Sequence, residues 1–266
     1  MSVQVQSFFH RDSNTFSYLV SDPASSEAAL IDPVLDYDPD TDASSEAPLH
    51  GALQAIEQQG LQLRWLLETH AHADHVSAGR RLKRRFPQAT LAIGEGIRAV
   101  QATFAPRYGL QLPAADEIFD HLFSDGETFA LGELRCQVIA VPGHTSDSIA
   151  YLIDDALFTG DSLFMPDGGT ARCDFPGGDA AQLYRSIQRL LALPDATRVF
   201  VCHDYGPGGR GFANETTVGE QRAHNIHVHD GVAEAEFVSV RQARDATLEE
   251  PKLMQPAVKA NIQGGA

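Results

Sequence analysis

The sequence predicts an α/β fold in layers, with two mixed sheets inside, helices outside and a single domain spanning residues 1–266. Three observations predict it. Short runs of β-forming residues alternate with helical segments in two halves of the chain. No Pro/Gly/Ser-rich linker separates those halves, and no internal repeat is visible. At 266 residues and 43% hydrophobic content, the chain has ample material for one sizeable core.

The elements follow in order. Residues 3–8, 16–21 and 28–31 are rich in β-formers and read as strands. Residues 36–48 (DYDPDTDASSEAP) are acidic, Pro- and Ser-rich, and read as an exposed loop. Residues 49–59 read as a helix, and the apolar run 63–67 ends in Glu68-Thr69. A basic amphipathic helix is expected over 76–86, a strand over 89–93 and a helix over 97–108. Residues 126–132 suggest a hairpin feeding the strand 134–141. Strands 148–153 and 156–159 flank an Asp154-Asp155 turn, and helix 180–193 leads to a buried strand over 198–202. Helices over 216–225 and 232–246 precede a tail expected to be irregular from Glu250. A central core segment is expected over about 65–210, with C-terminal helices and tail over 215–266.

Charge narrows the function classes. With 20 Lys+Arg against 36 Asp+Glu, the net charge of −16 repels nucleic acid and anionic membrane alike. The N-terminus lacks a charged segment followed by an apolar run, and no stretch approaches the roughly 18 apolar residues of a membrane span. Cys136, Cys173 and Cys202 are scattered and form no C-x-x-C. The expectation is a soluble cytoplasmic protein with a small-molecule substrate.

The chemistry concentrates in histidines and aspartates after strands. His70-Ala71-His72-Ala73-Asp74-His75 lies between a predicted buried strand and a helix, where neutral imidazoles and a carboxylate can converge on Zn, Fe or Mn. Val141-Pro142-Gly143-His144-Thr145 puts a histidine just past another strand, and Leu157-Phe158-Thr159-Gly160-Asp161 does the same with an aspartate. The strand over 198–202 ends in His203-Asp204-Tyr205. Four strand ends therefore each deliver a candidate ligand to loops on a rigid scaffold.

This set of H-x-H-x-D-H, G-H-T, apolar-T-G-D and C-H-D resembles the metallo-β-lactamase superfamily over residues 69–205. The resemblance implies a four-layer αββα sandwich with a metal site along one sheet edge. Gly169-Thr170-Ala171-Arg172-Cys173-Asp174-Phe175 is similar to the G-x-x-R-x-D-F segment of the persulfide dioxygenase branch, whereas glyoxalase II places an aromatic at Asp174. The helix carrying Glu215, Glu220 and Arg222, and the tail from Glu250-Pro251-Lys252 to Ala260-Asn261, also resemble that branch.

The branch implies one Fe(II) per chain on His70, His144 and Asp161, with Zn possible as a substitute. This is a 2-His-1-carboxylate triad that leaves positions open. His72, Asp74, His75 and His203 match second-metal positions, retained but not used for iron there. Arg172 matches an arginine beside the glutathione pocket, with a salt bridge to Asp174 as the alternative. Tyr205 matches a tyrosine near the substrate sulfur, with an ordinary half-buried aromatic as the alternative. Thr170-Ala171 and His227 stand where the branch reads Cys-Gly and a glutathione-contacting arginine, so both positions bear on substrate preference.

The resemblance thus implies oxidation of glutathione persulfide by O2 to sulfite and glutathione, in an enzyme commonly found as a homodimer. The rival expectation is a dinuclear zinc hydrolase of a glutathione thioester. A third is a metal-bearing sulfur carrier or sensor without turnover. Other features read as surface or core. His224, His227 and His229 are expected to face solvent, and Arg80 to Arg85 to form a solvated basic face. Gly206-Pro207-Gly208-Gly209 reads as a flexible loop, and Cys173 and Cys202 as small buried residues.

Overall fold

The computed structural model describes residues 2–266. β1 (Gln4–His10) and β2 (Thr15–Ser21) form a hairpin, to which β3 (Glu27–Ile31) adds antiparallel. The chain leaves this sheet for β4 (Val34–Asp38) and β5 (Ala43–Ser45), then enters α1 (His50–Gln58). It returns as β6 (Gln62–Leu67) and makes the short β7 (Val76–Ser77). There follow α2 (Gly79–Arg85), β8 (Thr90–Gly94), α3 (Ile97–Phe104), α4 (Ala115–Ile118) and β9 (His121–Phe123). Parallel pairing of β3 with β6, β6 with β8 and β8 with β9 gives the order β1-β2-β3-β6-β8-β9.

The second sheet starts as an antiparallel meander of β10 (Thr128–Leu131), β11 (Leu134–Ala140), β12 (Ile149–Ile153) and β13 (Ala156–Phe158). α5 (Ala180–Leu191) is the crossover that lets β14 (Arg198–Phe200) pair parallel with β13, and β15 (Glu215–Thr217) closes the edge. The Asp179 side chain caps α5 by accepting from the Gln182 N–H at 2.7 Å. α6 (Val218–His224), α7 (Glu234–Asp245) and α8 (Met254–Asn261) complete the chain. Among the described residues, no helix is long and apolar enough to cross a membrane.

The period of two along each strand sorts apolar residues into three cores. Leu66 faces outward with Leu19 and Leu30, where Ile56 of α1, Leu82 of α2, Val100 of α3 and Val258 of α8 cover it. Its neighbour Leu67 faces inward with Val20 and Ile31, against Val138, Tyr151 and Phe158 of the second sheet. On the far side, Leu157 and Val199 pack under Leu183 and Ile187 of α5, Val218 of α6 and Phe237 of α7. The result is the expected helix–sheet–sheet–helix sandwich in a single domain.

Four expectations are corrected. Residues 36–48 are not a loop throughout, because β4 and β5 form a hairpin and β4 also pairs with β7. Its acidic side chains are satisfied locally, the Tyr37 hydroxyl donating to Asp42 at 2.6 Å and Ser45 to Asp36 at 2.8 Å. The helix expected over 76–86 starts only at Gly79, since Val76–Ser77 is drawn into that small sheet. The helix over 97–108 ends at Phe104 in a separate 3-10 turn, where Pro106 interrupts it. The tail is not irregular, because α8 forms there and buries Met254, Ala257 and Val258, beside β7 and next to Val100 and Phe104 of α3. The basic face of α2 lies at the surface as expected, with Arg81 and Arg85 beside Glu46 and Lys83 at 2.8 Å from Asp120.

Candidate metal centre

Each candidate ligand follows directly from a strand end: β6 into residues 68–75, β11 into His144, β13 into Asp161 and β14 into His203. Gly160 makes the approach possible. Its φ is +51°, and a Cβ there would lie 2.8 Å from the Thr69 side chain. The donor atoms of His70, His144 and Asp161 all lie within 4.8 Å of one another. Asp161 Oδ2 sits 3.6 Å from His144 Nε2 and 3.9 Å from His70 Nε2.

The far side of each imidazole explains its orientation. Asp32 Oδ2 accepts from the Thr69 hydroxyl at 2.9 Å, so the Thr69 oxygen is left to accept from His70 Nδ1 at 3.0 Å. That hydrogen bond directs the lone pair of His70 Nε2 into the site, where this buried atom meets no protein partner. His144 Nδ1 donates to the Arg172 carbonyl at 2.7 Å, directing its Nε2 the same way. Burial, then the neighbouring His72, hold His70 well below its ordinary pKa, so it is neutral. Burial opposes ionisation of Asp161, but His203, His70 and His144 outweigh it and hold the carboxyl well below its usual range. Two imidazoles and one carboxylate, with an orphaned buried Nε2, fit a divalent metal.

His72 groups elsewhere. Its donors lie with those of Asp74, His75 and His203, and separately with Asp32 and Cys202. His72 Nε2 is 3.0 Å from Asp32 Oδ1 and 4.0 Å from Glu68 Oε2. Burial opposes its charge, but Asp32, Asp74 and Glu68 push it up to about 9. His203 Nε2 lies 3.3 Å from Asp161 Oδ1 and 3.5 Å from Asp74 Oδ2, and these carboxylates overcome burial to push it up to about 10. His75 Nε2 is buried without a protein partner, so this second group too could accept a cation.

A cavity of about 370 Å³ opens over His144, Asp161 and His203, with Phe164, Thr170 and Tyr205 in its wall. Tyr205 is exposed and stacks on His203, ring centroids 6.1 Å apart at 10°. Arg172 reaches the cavity, yet both arms of its fork are taken: Nε and Nη2 donate to Asp174 at 2.7 Å, and Nη1 to the Glu249 carbonyl at 2.7 Å. The internal salt bridge is therefore present.

His227 does not face solvent. It is buried behind the cavity wall, where its Nδ1 accepts from the Thr170 N–H at 3.0 Å. Gly169 permits this, since a Cβ there would lie 2.2 Å from that nitrogen. His227 therefore supports Thr170 and is absent from the cavity lining. His224 is exposed, and the three cysteines are free and buried.

Four supporting residues were not singled out from sequence. Asp32 follows β3 in the unremarkable Ile31-Asp32-Pro33, and its role depends on Thr69 reaching it across the parallel sheet. Asn261 of α8 donates to the carbonyls of His72 and His75, both at 2.8 Å, and accepts from the Ser77 N–H at 2.8 Å. Its place in the resembling tail was the only available signal. Arg241 and Asp245, one turn apart on α7, brace the cavity wall: Arg241 donates to the Thr170 carbonyl at 2.9 Å, and Asp245 accepts from the Cys173 N–H at 2.8 Å.

Comparison with known proteins identifies the family. The family model described as the metallo-beta-lactamase superfamily matches residues 10–203. A probable metallo-hydrolase of Burkholderia pseudomallei is 45% identical, over 98% of this chain and 92% of its own. Glyoxylase B2 of Dictyostelium discoideum is 42% identical over 98% and 91%. The human mitochondrial persulfide dioxygenase ETHE1 is 30% identical over 99% and 89%. Among solved structures, ETHE1 from Myxococcus xanthus superposes with a TM-score of 0.79 at 34% identity, covering 99% of this chain and 100% of that one.

Proposed function

The chain belongs to the metallo-beta-lactamase superfamily, and on that premise we propose that it is an iron-dependent persulfide dioxygenase acting on glutathione persulfide. The observation that carries this reading is the three-donor group of His70, His144 and Asp161, from which His72 stands apart beside Asp32. A facial set of two imidazoles and one carboxylate suits a single Fe(II) with positions left open. The likeness to ETHE1 along nearly the whole chain, tail included, supports the same reading.

Iron bound there would supply one-electron chemistry toward O2 and a template for two reactants. The protein's own part is positional. Thr69 and the Arg172 carbonyl fix the two imidazole tautomers, so no ligand has to reorient during turnover. Phe164, Phe175 and Leu248 give the cavity apolar walls that limit water around the sulfur. Tyr205, at the mouth, offers its hydroxyl as a donor to the persulfide. Overall, persulfide, O2 and water give glutathione, sulfite and two protons. The S–S bond breaks and four electrons pass from the persulfide to O2.

A second reading is a two-metal thioester hydrolase. The intact group of His72, Asp74, His75 and His203 favours it, as do the relatives named metallo-hydrolase and glyoxylase. Side-by-side assays separate the two. Fe(II)-loaded protein is expected to consume O2 and form sulfite in equal amounts from glutathione persulfide, and to leave S-lactoylglutathione nearly untouched. Oxygen-independent thioester hydrolysis without sulfite would replace the first reading with the second.

A further inference from the structure

We propose that Arg244, on α7, selects for a carboxylate-bearing thiol carrier by pairing with that carboxylate at the outer end of the cavity. The inference rests on the persulfide reading above and specifies what the carrier must present.

The argument is one of availability. Three guanidinium groups reach the cavity: Arg172, Arg241 and Arg244. Arg172 is bound bidentately by Asp174 and tied to the Glu249 carbonyl, with its plane 4.8 Å from the Phe175 ring centre. Arg241 is buried and committed to Asp245 and to the Thr170 carbonyl. A ligand carboxylate reaching either one must compete with an existing pair, and displacing the buried Asp245 would leave a charge unpartnered.

Arg244 carries no such obligation. Among the described residues, no carboxylate lies within 4.0 Å of its guanidinium and no acceptor hydrogen-bonds it, although the chain bears a net charge of −16. Beyond Asp74 and Asp161 of the metal centre, the cavity lining holds no carboxylate that could fold back onto it. A planar, permanently charged fork that is free at a cavity rim is matched to a ligand carboxylate. His227 cannot supply this charge, because it is occupied behind Thr170 and absent from the lining. The carrier would therefore lie with its sulfur over His144 and Asp161 and its carboxylate outward at Arg244.

The test is binding of the unreactive carrier to metal-loaded protein, measured by calorimetry for glutathione and for its diethyl ester. Wild type is expected to prefer glutathione by about tenfold, the worth of one charge-assisted contact. Arg244→Gln is expected to bind both alike at the ester's level, with unchanged melting temperature and metal content, and Arg244→Lys to regain part of the preference. In turnover, Arg244→Gln should raise KM for the persulfide by a similar factor and leave kcat nearly unchanged. A preference that survives in Arg244→Gln would overturn the role of Arg244 and leave the dioxygenase reading intact. Wild-type protein that binds neither compound would overturn that reading and this inference together.

Discussion

Two segments line the site, and they are held in opposite ways. The loop 68–75 is anchored from the sheets and the C-terminus. Asp32 accepts from the Thr69 N–H, Asp147 from the Ala71 N–H, Tyr151 donates to the Glu68 carbonyl, and Asn261 spans His72 and His75, all at 2.8 Å. The segment 169–174 is anchored by side chains of the last helices and the turn after α6: Asn225, His227, Arg241 and Asp245. The first network fixes donor atoms, because Asp32 directly follows β3, Tyr151 lies on β12 and Asn261 lies on the packed α8. The second fixes a wall, and touches the candidate ligands through the Arg172 carbonyl, which accepts from His144. Metal affinity should therefore answer to the first network, and stability and carrier preference to the second.

The largest expected effect is on the wall. Arg241→Ala leaves Asp245 buried without its partner, which typically costs about 3–5 kcal/mol. Thermal unfolding should show a clear fall in midpoint, with metal affinity changing less than for substitutions at Asp32. Metal loss outrunning the stability loss would break the comparison. Next is Asp32→Ala, which frees the Thr69 hydroxyl from its acceptor and removes the partner of His72. Competition with a chelator should show metal affinity lower by about 10- to 100-fold, as for other residues supporting metal ligands. Unchanged affinity would remove the first network's role.

Asn261→Ala is a milder form of the same test. One buried N–H loses its acceptor and two carbonyls a shared donor, an effect of about 1–3 kcal/mol. Weaker metal binding should accompany the lower stability, because α8 is not otherwise in contact with the candidate ligands through hydrogen bonds.

How much of this was legible in sequence follows from the range of the interactions. The strand-end positions of His70, His144, Asp161 and His203 were readable, because a period of two followed by a turn is a local pattern. The β4–β5 hairpin was not, since Asp36, Asp38 and Asp42 are poor strand formers and their satisfaction by Tyr37, Thr41 and Ser45 is a tertiary fact. α8 was missed because Pro256 and a short apolar pattern conceal a helix whose support comes from packing against Val100 and Phe104. The burial of His227 depends on Gly169 lying beneath it, fifty-eight residues earlier in the chain.

The smallest expected effect concerns that histidine. Burial, then Arg241 and Arg244, push His227 down to about 4, whereas an unfolded histidine titrates near about 6.5. As pH falls the unfolded chain takes up this proton first. The contribution of His227 to stability is therefore full above about 6.5 and is lost progressively toward 4. Denaturation of wild type and His227→Gln should show a stability gap that narrows over this window. A gap constant from pH 7 to pH 4.5 would assign the shift to another group.

The most direct test of the central claim is iron content and persulfide oxidation in His75→Ala beside Asp161→Ala. If His70, His144 and Asp161 form a self-sufficient centre, His75→Ala keeps one iron per chain and turns over within about tenfold of wild type, while Asp161→Ala loses iron and activity together. Equal loss in both variants would mean that the two donor groups work as one two-metal site, and the single-iron account would be wrong.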